Sequence, residues 1–392
     1  MYFWSLKPSF ISVLYACISV AILIAVIKVV QKPNTAYRLF ATQNVSEKCK
    51  SNKTGDMTSQ CNAMLHLRKV PNGLRLRHML SYKQLYDKVY RARDFVIAPH
   101  CAVQPWLALA HRSQDSHNYC RNVFSTWKIV NDKKPNIPPV NRPPADLLKE
   151  YSLQDNLVVG KMYFDDVSNI KARHWTKTAI SYFLNSVLLR LNFYYDSGTQ
   201  AVYYAMDQLD LSGKHAAVIG SIKPWLEAIL LSRGARRVTT IEYTKIVLPN
   251  SETRLSALHP NEIVKRVENQ TQEQYDFIAS YSSLEHSGLG RYGDVLDPFG
   301  DIREMQKCWC LLKPGGRMLL GLPVGKDYLA WNAHRIYGPL RLPMMTAGFQ
   351  VEHIYTARKP PLDWRKLKAE EWIFDSIPVG EFIQPVIILK KV

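Results

Sequence analysis

A short segment in the C-terminal half of the chain concentrates side chains that could bind polar groups or move protons. Residues 285–301 hold Glu285, His286, Arg291, Tyr292, Asp294, Asp297 and Asp301 among four glycines. Imidazole titrates near neutral pH and is the commonest proton acceptor for a hydroxyl group. We therefore predict His286 as a general base, with His334 and Asp294 as further catalytic residues. The alternative is that Glu285 and His286 only start a helix or pack beside a ligand.

The other polar residues of this segment suit the recognition of a polar substrate. Arg291, Tyr292, Asp297 and Asp301 could hydrogen-bond substrate hydroxyl groups, and we predict them as substrate-binding residues. Aspartate beside glycine also builds turns without binding any ligand, so a purely structural role is the alternative.

Two apolar runs flank the segment and predict β-strands. The first run opens at Asp276 and breaks at Glu285, and the second follows a predicted Lys-Pro-Gly-Gly turn at 313–316. A helix-prone stretch lies between them. In parallel α/β sheets, ligands bind outside the carboxyl ends of the strands. Ser282, Ser283, Glu285 and His286 should therefore lie at the binding edge.

A second strand–helix–strand pattern precedes this one and predicts a cofactor site. A strand at 215–221 runs into a glycine turn, a helix at 224–231 ends near Gly234, and a strand at 237–242 ends in a carboxylate. Gly220 permits close approach of a ligand, and an acid about 20 residues later can accept both ribose hydroxyls. We predict that Gly220, Ser221, Glu242, Ser282 and Glu285 bind the cofactor.

The ordered motifs YDFI, LEH and LKPGG, at 275–278, 284–286 and 312–316, resemble strands four and five of class I S-adenosylmethionine-dependent methyltransferases. The resemblance implies an α/β, Rossmann-like, doubly wound sheet and S-adenosylmethionine as cofactor. It also implies a final antiparallel pair, for which 349–355 and 384–389 are suitable. Metal-dependent O-methyltransferases carry a carboxylate where this chain has Ser280 and Ser282, so we expect no metal.

The loop at 285–301, together with Asn332–Gly338, resembles a nematode family of unknown function, DUF268, whose members look methyltransferase-like. This resemblance implies the fold and no settled activity. The cofactor loop at 218–227 has one glycine where methyltransferases usually have several. A catalytically inactive, membrane-anchored binding protein is therefore an open alternative.

The N-terminal region predicts a membrane anchor followed by a basic region. The run at 9–30 has no charge before Lys28, and about 20 apolar residues span a bilayer. A cleavable signal peptide is the alternative. The chain carries a net charge of +18, and residues 31–150 hold 20 basic against 8 acidic residues. Membrane proximity explains this excess more simply than nucleic acid, for which no binding motif is present.

These features divide the chain into five parts: a tail at 1–8, the anchor at 9–30, a stem at 31–65, a basic accessory region with a proline-rich linker at 66–145, and the methyltransferase-like domain at 146–392. Within the last part, apolar residues at helical spacing predict a helix over 173–195 that covers the sheet.

Sequons and cysteines favour the lumen of the secretory pathway. Asn44, Asn52 and Asn269 each begin an Asn-X-Ser/Thr sequon. Six cysteines follow the anchor and allow fifteen connectivities, of which Cys49–Cys61 and Cys101–Cys120 are the local pairs to test first. Cys308 and Cys310 should not pair with each other.

We therefore expect a single-pass type II membrane protein of the Golgi or endoplasmic reticulum that O-methylates a glycan or a small-molecule acceptor. The charges of Lys28, Lys32 and Arg38 leave open a cytosol-facing enzyme that acts on lipids or small molecules.

Overall fold

A computed structural model describes residues 116–153, 155–169, 171–192, 195–338, 340–357 and 377–391. The predicted anchor and stem, Asn44 and Asn52 lie outside these ranges. Among the described residues, no helix has the length and apolar character that a bilayer crossing requires.

The described strands, in chain order, are β1 (Val158–Met162), β2 (Arg173–His174), β3 (His215–Ile219), β4 (Arg237–Ile241), β5 (Ile246–Val247), β6 (Leu255–Leu258), β7 (Tyr275–Tyr281), β8 (Leu312–Gly321), β9 (Val324–Gly325), β10 (Tyr328–Asn332), β11 (His334–Ile336), β12 (Phe349–Tyr355), β13 (Phe382–Ile383) and β14 (Val386–Lys391). The described helices are α1 (Ser116–Asn131), α2 (Leu148–Tyr151), α3 (Lys177–Leu188), α4 (Ser197–Met206), α5 (Trp225–Ser232), α6 (Pro260–Glu268), α7 (Gly300–Leu311) and α8 (Leu342–Met345).

The central element is a seven-stranded sheet in the order β12-β14-β8-β7-β3-β4-β6. Strands β6, β4, β3, β7 and β8 pair in parallel, whereas β14 runs antiparallel to both β8 and β12. This α/β arrangement, with a mixed sheet that ends in an antiparallel pair, resembles the fold of class I methyltransferases. The predicted sheet is confirmed.

Two hydrophobic cores sandwich the sheet. Helices α3, α4 and α5 pack on one face, with Phe183, Val202 and Ile229 buried among them. Helices α1, α6 and α7 cover the other face, with Phe124 and Met305 buried there. The two faces follow from the crossovers, because right-handed connections to opposite sides of β3 place their helices on opposite faces of a parallel sheet.

Two sequence predictions about local structure were wrong in detail. The turn predicted at 313–316 lies inside β8, where Tyr275 pairs with Leu312 but Phe277 pairs with Arg317. The extra residues form a bulge, and Gly315 takes its positive φ of 71°. The helix predicted over 173–195 is shorter, because its first residues pair as β2 with β5 and Thr176 caps the start of α3.

A small second sheet, in the order β1-β10-β11, lies beside the binding edge. Strand β1 pairs in parallel with β10, and β10 pairs with β11 antiparallel. Neither β1 nor β6 was predicted, because runs of five and four residues are too short to show a clear strand pattern.

A disulfide joins two helices that lie far apart in the sequence, in a pairing that was not predicted. Cys120 of α1 bonds Cys310 of α7, although 190 residues separate them. The predicted Cys101–Cys120 pair is therefore wrong, because α1 packs against α7 and brings Cys120 to that helix. Cys308 is a buried free thiol, which confirms that Cys308 and Cys310 do not pair. Cys49, Cys61 and Cys101 lie outside the described residues.

Replacing Cys120 and Cys310 together by alanine should lower the free energy of unfolding by about 2–5 kcal/mol, because the crosslink restricts a very long loop in the unfolded chain. Urea unfolding of the double variant and the wild type measures this difference. Peptide mapping without reductant should recover the Cys120–Cys310 crosslink from the wild type, and recovery of Cys120 linked to another cysteine would contradict the pairing.

Candidate functional site

A pocket lies at the carboxyl ends of β3, β4 and β7. The predicted site residues that line it are Gly220, Ser221, Glu242, Ser282, His286, Tyr292, Asp294 and Asp297. Glu285, Arg291, Asp301 and His334 are not part of its lining. The structure thus brings predicted residues from separate segments between 220 and 297 into one pocket.

Glu242 follows β4 and reaches across to the end of β3. Its Oε2 accepts the backbone N–H of Ser221 at 2.9 Å, and its Oε1 accepts the N–H of Thr244 at 3.0 Å. The side chain is half-buried and lines the pocket. These two bonds hold the carboxylate at the pocket wall, where each oxygen has further capacity to accept a ligand hydroxyl.

Gly220 makes the close turn between β3 and this wall. Its φ is +72°, and a Cβ added there would lie 1.9 Å from Oγ of Ser283, at the end of β7. The absence of a side chain therefore keeps β3 and β7 close together and leaves backbone exposed to a ligand. The single glycine of this loop occupies the position at which the structure requires one.

A second carboxyl group lies beneath the turn. Glu227 of α5 is completely buried, and it accepts hydrogen bonds from Thr240 at 2.7 Å and from Oγ of Ser221 at 3.2 Å. Burial raises the pKa of Glu227 to about 7, against these hydrogen bonds. Glu227 links α5, β4 and the turn, a role that sequence reasoning missed.

The two ring nitrogens of His286 differ in their contacts. Its Nδ1 lies 2.6 Å from the carbonyl oxygen of Ala333. A carbonyl can only accept, so Nδ1 carries the proton and the neutral ring has its lone pair on Nε2. Burial lowers the pKa of His286 to about 3, although the Ala333 carbonyl opposes the shift. The ring is therefore neutral at physiological pH. It packs against the ring of Tyr292 in a T-shaped arrangement, with 5.4 Å between the ring centroids.

Glu285 lies beside His286 as a buried acid. Its Oε1 is 3.8 Å from Nε2 of His286, and its Oε2 is buried with no hydrogen-bond partner. Burial raises the pKa of Glu285 to about 7, against hydrogen bonds that include one from Ser282. Above that pH its negative charge would favour protonation of the neighbouring imidazole.

Asp294 holds the loop that carries these residues. Its carboxylate accepts the backbone N–H groups of Gly288 at 2.6 Å, Gly290 at 3.1 Å and Tyr292 at 3.3 Å. Burial raises its pKa, and the backbone bonds oppose the shift. These contacts fix the conformation of the loop. They give no support to the catalytic role predicted for Asp294.

Asp297 and Asp301 also contact protein groups. Asp297 caps the Phe299 N–H at 3.0 Å and pairs with Arg303 at 2.8 Å. Asp301 is completely buried and receives two hydrogen bonds from Arg341 and one from Tyr337. Burial would raise the pKa of Asp301, but the adjacent arginines hold it below its usual value. The substrate-binding role predicted for Asp301 is therefore not supported by its position.

Arg291 and His334 lie at the outer side of the loop. Arg291 donates to Asp166 at 2.6 Å and to the Ala333 carbonyl at 3.2 Å, and its guanidinium stacks on Phe164 at 4.3 Å. His334 packs against Phe382, and burial lowers its pKa. Both residues lie beyond the pocket lining, so their predicted roles remain predictions about a larger acceptor.

The pocket residues that were not predicted include Trp127, Tyr195, Tyr243 and Glu304. Tyr195 lies before α4 and hydrogen-bonds Ser282. Only Tyr243 carried a signal in the sequence, since it directly follows Glu242. The others come from segments distant in sequence, and their convergence depends on helix packing. Among the described residues, no group of three or more His, Cys, Asp or Glu side chains could hold a metal ion.

The protein is an α/β protein whose mixed sheet resembles that of class I methyltransferases, with a pocket at the expected sheet edge. Residues 213–392 match the model of a family described as Caenorhabditis protein of unknown function, DUF268. The resemblance predicted from the loop motifs is therefore confirmed for this part of the chain. No curated protein matches it.

Several solved structures are similar at low identity. A Burkholderia thailandensis 1,6-didemethyltoxoflavin-N1-methyltransferase with bound S-adenosylhomocysteine is 15% identical, covers 54% of this chain and 87% of its own, and has a TM-score of 0.33. The N-methyltransferase NodS from Bradyrhizobium japonicum is 13% identical, with coverages of 50% and 93% and a TM-score of 0.31. The cyclase SpnF is 12% identical, with coverages of 57% and 98% and a TM-score of 0.31. Similarity at this level assigns no activity to this chain.

Gly220→Ala should destabilise the protein by more than its backbone conformation alone explains, because the new methyl group meets Ser283. Gly213→Ala is the matched control, since Gly213 has the same φ of +72° and no atom within 4 Å of an added Cβ. We expect about 1–2 kcal/mol of strain for the control and a clearly larger loss for Gly220→Ala. Thermal unfolding of both variants measures this, and equal losses would mean that the contact with Ser283 is easily relieved.

Proposed function

We propose that this protein is an S-adenosylmethionine-dependent methyltransferase. The observation that carries the proposal is the position of Glu242. Its carboxylate stands at the end of β4, is held by the Ser221 N–H and lines a pocket that continues past Gly220 to His286. An acid at this point of a Rossmann-like sheet is suited to bind ribose hydroxyls.

The residues present fit such a cofactor. Glu242 would bind the ribose, and the open backbone at Gly220 and Ser221 would contact the amino-acid part beside Ser282. When bound, S-adenosylmethionine supplies a methyl group on a sulfonium that is already activated for in-line displacement. The chain's own contribution is then alignment of the acceptor and removal of its proton.

His286 is suited to remove that proton. Its Nε2 has a free lone pair because Nδ1 donates to Ala333. The imidazolium that forms after proton transfer would be costly in this buried position, as its lowered pKa indicates. Ionised Glu285, 3.8 Å away, provides the compensating charge. Glu285 therefore acts through His286 as a positioning residue.

We further propose that the protein is anchored in the membrane of the Golgi or endoplasmic reticulum, with this domain in the lumen and a glycan or small molecule as acceptor. The Cys120–Cys310 disulfide supports an oxidising compartment. Asn269 supports it too, because this sequon residue is exposed at the end of α6 and accessible to a glycosyltransferase.

Glu242→Ala should weaken S-adenosylmethionine binding at least tenfold, because charge-assisted hydrogen bonds contribute about 1.5–3 kcal/mol. Isothermal titration calorimetry measures this. Glu242→Gln keeps one acceptor oxygen and should lose less, and Glu262→Ala on the exposed side of α6 should lose nothing. Absence of binding by the wild type would remove the proposed function.

His286→Ala should leave cofactor affinity nearly unchanged while turnover falls by about 10² to 10⁴, the usual contribution of a positioned base. Turnover with a glycan acceptor panel and calorimetry with cofactor measure the two effects. His353→Ala, an exposed histidine on β12, is the control. Joint loss of binding and turnover would instead make His286 structural.

The pH dependence separates the two residues of the pair. With a pKa of about 3, His286 is neutral throughout pH 5–8 and contributes no change in rate there. Glu285 loses its proton near pH 7, and only its ionised form favours the imidazolium. Activity should therefore rise with pH through about 7 in the wild type, and this rise should disappear in Glu285→Gln. A rise that survives Glu285→Gln would contradict this assignment.

A further inference from the structure

A group of basic side chains lies beside the pocket and has no part in the cofactor argument. Arg173 of β2 and Lys223, in the turn after β3, line the pocket itself. Lys171 and Lys177 flank β2 in the chain, Lys245 directly precedes β5, and all three are exposed. We call these five residues the basic rim.

Backbone contacts bring three separate segments together at the basic rim. The N–H of Arg173 donates to the carbonyl of Lys245 at 2.8 Å, where β2 pairs in parallel with β5. Nε1 of Trp175 donates to the carbonyl of Ile222 at 3.2 Å and joins the segment after β2 to the turn that contains Lys223. The fold itself therefore places these cations next to one another.

The positive charge of the basic rim is not compensated by the fold. Within the described part of the chain, no carboxylate forms an ion pair with four of its members, which are Lys171, Arg173, Lys177 and Lys245. Elsewhere on the surface, exposed lysines do have acidic partners: Lys149 with Asp155, Lys265 with Glu262, and Lys313 with Asp276. Neighbouring cations repel one another, and a cleft lined by one sign of charge attracts ligands of the opposite sign.

Arg173 also offers a donor that the protein leaves unused. Its Nε is buried and has no hydrogen-bond partner among the described residues. A buried N–H without a partner is unfavourable, and an oxygen of a bound anion would relieve this. A guanidinium binds carboxylate and sulfate oxygens through paired hydrogen bonds, and ammonium groups add to the attraction. The basic rim is therefore suited to a ligand with several anionic groups.

We propose that the basic rim binds an acidic saccharide, so that the acceptor of the methyl group is a glycan that carries carboxylate or sulfate groups. This rests on the proposed function. The pocket extends from Arg173 and Lys223 to His286, and a single acceptor can contact both ends only if it is extended, as an oligosaccharide is. Binding of its anionic groups at the rim would hold the acceptor while one of its hydroxyl groups is aligned at His286.

The cofactor alone does not account for the basic rim. S-adenosylmethionine has one carboxylate, whereas the rim has five cations from three segments. Most of this charge would remain uncompensated with only the cofactor bound. An acidic saccharide presents an anionic group on successive sugar units, so its charges can be shared among several of the rim residues.

The test measures binding of three hexasaccharides to the full chain by isothermal titration calorimetry, with S-adenosylhomocysteine present at saturation. The probes are a heparin hexasaccharide with sulfates and carboxylates, a hyaluronan hexasaccharide with carboxylates only, and neutral maltohexaose. The wild type should bind at least one anionic probe about tenfold or more tightly than maltohexaose, because several ion pairs are lost with the neutral sugar. Comparison of the two anionic probes shows whether sulfate or carboxylate is recognised.

Three results of these titrations would overturn the proposal. One is equal binding of maltohexaose, and another is binding of neither anionic probe. The third is an anionic probe that binds only when S-adenosylhomocysteine is left out, because the cations would then belong to the cofactor site. Binding of the anionic probes by a chain that does not bind S-adenosylhomocysteine at all would instead remove the proposed function, and the acceptor role with it.

A matched pair of triple variants locates the binding. The first replaces the three exposed rim lysines: Lys171→Gln, Lys177→Gln and Lys245→Gln. It should weaken binding of the anionic probe about tenfold, since each exposed ion pair contributes a factor of about two to three. The control removes the same charge from lysines outside the rim, Lys149→Gln, Lys265→Gln and Lys313→Gln, and should change binding less than about twofold. Equal losses in the two variants would mean a general attraction of anions to a basic protein, and the proposal would be wrong.

Arg173 gives a second test that does not depend on the lysines. Arg173→Gln should weaken the anionic probe severalfold and leave S-adenosylhomocysteine binding nearly unchanged, and Arg173→Lys should restore part of the loss because it keeps the charge. Thermal unfolding checks that each variant is folded. Weaker binding of S-adenosylhomocysteine with unchanged binding of the anionic probe would contradict the acceptor role of Arg173.

Discussion

The geometry of the binding edge depends on one buried cation, Arg335. Its guanidinium donates to four backbone carbonyls of the loop after β7, those of Glu285, Ser287, Asp297 and Pro298, at 2.6–3.3 Å. The side chain is 2% exposed, and Asp301 lies 3.7 Å from it as a counter-charge. A buried arginine with unsatisfied donors would be very costly, so this set of bonds and the loop conformation require each other. Replacement of Arg335 would remove a donor from four carbonyls at once; Asp297 would keep the bond from the Gly300 N–H and Pro298 the bond from Arg341.

Around this fixed loop, the carboxyl groups in and beside the pocket are in different states. Glu227 and Glu285 have pKa values raised to about 7 by burial, whereas Asp301 is held ionised by arginines. Glu242 and Glu304 line the pocket, where they accept hydrogen bonds from the Ser221 N–H and from Nε1 of Trp127. The five acids thus differ in their contacts: Glu227 fixes the turn, Glu285 lies beside His286, Asp301 pairs with arginines, and Glu242 and Glu304 form part of the pocket wall. Their surroundings, rather than their residue type, separate these roles.

The sequence predicted the sheet well because its strands are apolar runs followed by turn residues, and because Gly220 and Glu242 sit at strand ends. The sequence did not predict the contacts that depend on tertiary packing. The disulfide partner of Cys120 and the contacts of Glu227, Glu304 and Arg335 were not predicted, because they join residues that lie 6 to 190 positions apart. Asp294, Asp297 and Asp301 were predicted as catalytic or substrate-binding residues because they lie in a polar loop. The sequence does not show which of these carboxylates hydrogen-bond to other groups of the protein instead of to a ligand. The segment Asn332–Gly338 was part of the resemblance to the DUF268 family. In the structure it contains Arg335, which bonds to the loop after β7, and Ala333, whose carbonyl accepts from His286.

The covalent link between α1 and α7 has a consequence for the order in which the protein forms during synthesis. The chain emerges from its N-terminus, so Cys120 is available long before Cys310, and the sheet residues between them must be made in the interval. Helix α1 can bury Phe124 and Trp127 only once α6 and α7 exist to receive them. Until then, the apolar side chains of α1 and the Cys120 thiol lack their final partners, so Cys120 can pair temporarily with a cysteine that is made earlier.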